Sequence, residues 1–186
     1  MPAFVYLVYS MMALLMESVP SFGETWIECL GDLARYRMAI EETDLRDREV
    51  WSGVARMWYN KAADKSPNVG RIQHHLAVLA RPNIVQQLFY SSKALFSTIP
   101  FQNTQELVML LFTLFLEESE IANQRYPLVE LSVVKANGIL FTRGPILEYT
   151  SLVGQLRSIW IITLVVRWRS SGSRSRGCVY LVCCDH

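Results

Sequence analysis

A chain of 186 residues is long enough for one domain with its own core, or for a short array of helical repeats. With 51% apolar and only 19% charged residues, it is too apolar for a disordered segment. Its net charge of +1 supplies no whole-molecule field to recruit nucleic acid or an acidic partner, so any basic site must be local.

The N-terminal stretch MPAFVYLVYSMMALLMESVP is apolar for most of its first 16 residues. A secretory leader needs a basic start and a small-residue cleavage site, yet no Lys or Arg occurs before Arg35. A spanning helix needs roughly 20 apolar residues, whereas this run is shorter and holds Tyr6, Tyr9 and Ser10. It reads as a buried helix, with no membrane partner expected.

Residues 22–41 then place Trp26, Leu30, Leu33 and Ile40 at helical spacing, and residues 47–63 do the same with Trp51, Ala55, Trp58, Tyr59 and Ala62. The charged connection EETDLRD lies between them, and Pro67 ends the second helix. A third helix follows Gly70 and stops at Pro82; a fourth, IVQQLFYSSKALFS, stops before Pro100. The fifth, NTQELVMLLFTLFLEESEIANQ, opens on an Asn or Thr cap and is apolar all round in LVMLLFTLFL, as in a helix buried on most sides.

After Pro127 the composition changes. LVELSVVKANGILFTRGPILEYT is β-branched and punctuated by glycine, and reads as a hairpin, a helix or irregular structure. LRSIWIITLVVRW is apolar but too short to span a bilayer. The end, RWRSSGSRSRGCVYLVCCDH, is basic and low in complexity, with a disordered tail as the plain reading and a nucleic-acid contact as the sharper one. The chain thus divides into a helical domain over 1–126, an uncertain segment over 127–166 and a tail over 167–186.

Four cysteines occur, at 29, 178, 183 and 184. Cys29 lies in a helical pattern as a small buried thiol. The other three, with Asp185 and His186, lack paired CxxC spacing, so no metal site is expected. Nothing suggests a disulfide framework, which points to a reducing compartment, cytoplasmic or nuclear. The chain also has no Gly-rich phosphate loop followed by Lys, no HExxH and no GxSxG. The expectation is a non-enzymatic chain with no cofactor and no small-molecule substrate.

Ala55, Tyr59, Ala62 and Pro67 are spaced like the second half of a tetratricopeptide unit. Leu76-Ala77 falls where the next unit's first helix requires a Leu-small pair, whereas Leu30-Gly31 is about a dozen residues too early. The expected fold is all-α, built of antiparallel helix pairs stacked as a solenoid.

CLGDLARYR, WYNKAADKSPNVGRIQHHLAVLA, QQLFYSSKAL and IPF, in this order over residues 22–115, resemble the telomerase-activating and nonsense-mediated-decay adaptor family. The resemblance implies a 14-3-3-like domain merging into tetratricopeptide helices, and an adaptor linked to RNA surveillance or telomerase recruitment. It also implies phosphopeptide binding, with Gly31-Asp32 followed by Arg35-Tyr36 matching the family's phosphate-contacting segment. Arg71, His74 and His75 could line the same groove. A guanidinium fork and a phenol suit phosphate, which leaves Arg35, Tyr36, Arg71 and His75 as the candidate phosphopeptide site. The family draws a further basic residue from an upstream helix, and none precedes Arg35 here. An ion pair with Asp32 one turn away is the other reading of Arg35. For the chain as a whole, a second reading is a DNA- or RNA-binding module that uses basic helix residues and the arginine tail. A third is that the chain is a truncated copy without independent activity.

Overall fold

A computed structural model describes residues 2–41, 44–116 and 125–171. They form eight α-helices: α1 (Pro2–Ser18), α2 (Gly23–Ile40), α3 (Leu45–Lys65), α4 (Gly70–Leu79), α5 (Ile84–Phe96), α6 (Asn103–Leu116), α7 (Leu128–Thr142) and α8 (Ile146–Ser171). A single 3-10 turn, Pro20–Phe22, joins α1 to α2. No strand occurs among the described residues, and one isolated bridge pairs Val69 with Ile99. The chain divides into two units, Met1–Leu114 and Phe115–His186.

In the first unit the helix directions follow from which side chains meet. Glu24 meets Ser66, Asp32 meets Tyr59, and Arg37 lies over Trp51, so α2 and α3 run antiparallel. Glu28 meets Arg71 and Asp32 meets His75, so α4 runs parallel to α2 on the other side of the seam. Arg56 reaches Leu79 while Tyr59 stacks on His75, which makes α3 and α4 antiparallel as well. The core between these helices comprises Ile27, Leu30, Ala34, Ala55, Trp58, Tyr59, Ala62, Ile72, Leu76 and Leu79. Small residues at 34, 55 and 62 let the helices close up around the two large aromatics, as interdigitated packing requires.

The helix ends have local causes. Asp44 caps α3 by accepting hydrogen bonds from the backbone N–H of Arg46 and Asp47, and Asn83 caps α5 through the Gln86 N–H. Gly70 opens α4 hard against the end of α5: a Cβ there would lie 2.5 Å from the Ala94 carbonyl oxygen. Its N–H donates to the Ile99 carbonyl at 2.9 Å, which ties the α3–α4 connection to the segment after α5.

Three expectations need correcting. The N-terminal run is a helix but not a buried one: Val5 is buried, while Phe4, Tyr6, Leu7, Met11 and Leu14 are each more than half exposed. Tyr9, Met12, Ala13 and Met16 pack on the core, and Tyr9 Oη accepts a 2.8 Å hydrogen bond from Trp58 Nε1. A helix apolar all round does not announce which face its neighbours cover. The apolar run of α6 is likewise one-sided, with Val108, Leu111, Phe112 and Phe115 buried and Met109, Leu110 and Leu114 exposed.

Of the readings left open for the stretch after Pro127, the described residues take the helical one. β-Branched residues lower helix propensity by only tenths of a kcal/mol each, roughly, and packing overrides that. The hydroxyls of Ser132 and Thr142 bond back to Leu128 and Gly138 carbonyls, and Leu131, Val134, Ala136 and Ile139 are buried. The turn to α8 puts Arg143 in the left-handed region at φ 56°, where the N–H groups of Arg143 and Gly144 close on Leu140 and Ile139. Finally, residues 167–171 belong to α8 rather than to a structureless tail. Residues 172–186, with three of the cysteines and the nucleic-acid reading of the tail, lie outside the described residues. So do residues 117–124 of the expected fifth helix.

No single described helix is long and apolar enough to cross a membrane. Ala3–Ser18 and Pro20–Ile40 pass that test only as a pair, and they meet at a bend of 111°.

Candidate functional site

Glu28, Asp32 and Arg35 follow one another at spacings of four and three on α2, so they share one face. The parallel register of α4 sets Arg71 opposite Glu28 and His75 opposite Asp32. From α3, Tyr59 enters the same place because α2 carries no side chain at Gly31. A Cβ there would lie 2.9 Å from Tyr59 Cε1.

The three groups at the centre form a closed triangle. Tyr59 Oη donates to Asp32 Oδ1 at 2.6 Å and accepts from Arg35 Nε at 3.2 Å, while Arg35 Nη2 donates to Asp32 Oδ1 at 3.3 Å. Burial pushes the Tyr59 phenol well above its ordinary pKa, and the bond to Asp32 adds to this, so it stays a neutral donor. Burial works against the Arg35 charge, but the hydrogen bonds and charges of Tyr59 and Asp32 outweigh it and hold the guanidinium firmly protonated.

The two histidines are neutral neighbours of this triangle. His75 stacks on Tyr59, with ring centroids 5.0 Å apart and planes 21° from parallel, and its Nε2 lies 3.9 Å from Asp32 Oδ1. Burial lowers its pKa to about 4; Asp32 opposes this, and Arg35, His74 and Arg71 reinforce it. His74 packs against Phe101 and meets Thr104 Oγ1 through Nδ1 at 3.0 Å. Its pKa is lowered too, by burial and then by Arg35. At the rim, Arg71 pairs with Glu28, beside a cleft of about 230 Å³ that also touches Glu24 and Ser66.

Arg35 and His75, two of the residues singled out from the sequence, therefore converge on Asp32. Arg71 sits one turn away on Glu28. Tyr36 is 52% exposed, with the Arg35 guanidinium 4.6 Å from its ring centroid, a cation–π contact at the surface edge of the cluster. The hub, Tyr59, carries only a packing role in the sequence reading. The one available signal was that a buried tyrosine hydroxyl needs a partner. Thr104 and Phe101 approach from beyond α5, a long-range contact that spacing within one helix cannot reveal. Cys29 is half-buried and unpaired as a disulfide, its thiol pushed up by burial and by Asp32 and Glu28. That environment disfavours a reactive thiolate.

The two arginines of the cluster face two carboxylates, so their charges balance. A guanidinium offers five N–H donors, and Arg35 uses Nε and Nη2 internally, which leaves donors for a further acceptor. No protein-family model matches the chain, and no curated protein matches its sequence.

Proposed function

We propose that this chain is a helical adaptor without catalytic activity, which docks a phosphorylated segment of a partner protein at the edge between α2 and α4. The observation behind this is the fixed guanidinium of Arg35. Tyr59 and Asp32 hold it from beneath, and it lies over the exposed Tyr36 ring at the surface. An ordered cation loses less conformational freedom when a ligand arrives, so each hydrogen bond to phosphate is worth more. Arg71 supplies the second cation by exchanging its Glu28 partner for phosphate, and neutral His75 buttresses Tyr59 from behind. The Tyr36 hydroxyl supplies a further donor. The resemblance to the adaptor family agrees with this role and suggests a partner in RNA surveillance or telomerase recruitment, in the cytoplasm or nucleus.

The test is fluorescence anisotropy with a phosphoserine peptide pool and its unphosphorylated twin, using the full chain and the Arg35→Lys variant. Lysine keeps the charge and loses the fork. Phosphate-dependent binding that weakens in Arg35→Lys supports the proposal. Equal binding of both pools, or binding of an RNA or DNA oligonucleotide that falls steeply with salt and ignores phosphoserine, overturns it.

A further inference from the structure

The strongest unassigned feature is a groove of about 440 Å³ walled by α3 and the α4–α5 turn, with the end of α2 contributing Met38. Arg48, Arg56 and Arg81 line it, against a single carboxylate, Glu49. The local balance is two positive charges, in a chain whose entire net charge is +1. Met38, Val78 and Leu79 give it an apolar floor.

The three arginines are held differently. Arg56 Nη2 donates to the Leu79 carbonyl at 3.0 Å, satisfying one of the orphan carbonyls at the end of α4 and fixing this guanidinium in the wall. Arg48 and Arg81 are exposed, and among the described residues neither makes an ion pair. The other arginines that pair do so with Asp32, Glu41 and Glu28, none of which lines this groove. Two guanidinium groups without an ion pair among the described residues thus line the groove beside an apolar surface, with a third held in its wall.

We infer that this groove docks a short acidic segment of a partner protein, with carboxylates on Arg48 and Arg81 and an apolar side chain on Met38 and Val78. Arginine forks suit carboxylates bidentately, and complementary charge brings the partner in quickly. A nucleic-acid backbone fits less well, because it brings no apolar side chain to the Met38, Val78 and Leu79 lining between the arginines. The inference does not rest on the phosphate reading of the Arg35 cluster. It uses different residues.

Binding of a fluorescein-labelled twelve-residue peptide carrying four glutamates and two leucines to the full chain tests it. The controls are a twin with glutamine for glutamate, the Arg48→Glu/Arg81→Glu double variant, Arg35→Lys protein and a uridine 20-mer. Arg48 and Arg81 are exposed, so the double variant should keep the parent's thermal melt. If it does not, the single variants Arg48→Gln and Arg81→Gln replace it. The expected result is binding of the glutamate peptide, weakened at least about tenfold by the glutamine twin and by the loss of either or both arginines, and unchanged in Arg35→Lys. No binding, equal binding of the twin, or equal binding by the arginine variants would overturn it. So would tighter binding of the uridine 20-mer, lost in the same variants, which would assign the groove to nucleic acid.

Discussion

Tyr59 Oη and Asp32 Oδ1 lie 2.6 Å apart, and this bond joins α3 to α2 beside Gly31, where α2 has no side chain in the way. Asp32 thereby becomes the anchor of a triangle that also fixes Arg35. The orientation of the candidate phosphate-binding arginine depends on a buried tyrosine from another helix.

Gly31 makes that geometry available. Alanine at an open helix position is more stable than glycine by about 0.5–1 kcal/mol. At Gly31 a Cβ would press on the buried Tyr59 ring at 2.9 Å, an overpacking cost of about 1–3 kcal/mol. Gly31→Ala is therefore expected to destabilise the protein. Gly53, with nothing within 4 Å of its added Cβ, is the control, and Gly53→Ala should stabilise it by about 0.5–1 kcal/mol. Urea denaturation of the two variants reads both signs; the same sign in both would contradict the packing argument.

Tyr59→Phe keeps the ring and its stack on His75 but removes the hydroxyl that serves both Asp32 and Arg35. Hydrogen bonds to charged groups contribute about 1.5–3 kcal/mol. Asp32 and Arg35 are 30% and 23% exposed, so water replaces part of the loss, and about 1–2 kcal/mol is expected. A double-mutant cycle with Asp32→Asn checks it. A coupling energy near zero would mean the bond does not contribute.

The histidines give the protein a pH signature. His75 falls from an ordinary pKa of 6.5 to about 4 in the folded state, so below pH 6.5 the unfolded chain binds more protons than the folded one. Its contribution to stability is complete above pH about 6.5 and is lost as pH falls towards 4. The loss amounts to about 3 kcal/mol at most. His74, lowered as well, acts in the same direction. His75→Phe keeps the stack on Tyr59 without a titrating group, and should flatten the stability profile between pH 7 and 4. An unchanged slope in that variant would remove His75 as the cause.

Helices α2 to α5 were readable from the sequence because each is amphipathic and proline follows shortly after α3, α4 and α5 end. The Asp32–Arg35 pair was readable too, because helical spacing alone brings the two together. Tyr59 joining them was not, since nothing local links positions 27 residues apart. The pairing of Arg71 with Glu28 depends on the relative register of α2 and α4, which only packing decides. Burial of α1 was misread for a related reason: its residues are apolar nearly all round the helix, so contact with α2 and α3 chooses the covered face and leaves Phe4, Leu7, Met11 and Leu14 outside.

The adaptor reading turns on whether Arg35 receives phosphate, and the most direct measurement follows its own N–H. In protein labelled with ¹⁵N-arginine, the Nε–H signal of Arg35, which donates to Tyr59, can be tracked while phosphoserine peptide is added. If Arg35 receives phosphate, the Arg35 and Arg71 signals shift with the phosphorylated peptide and stay in place with its unphosphorylated twin. If neither signal moves, or both peptides move them alike, Arg35 is a structural cation held by Asp32 and Tyr59, and the phosphate site is refuted.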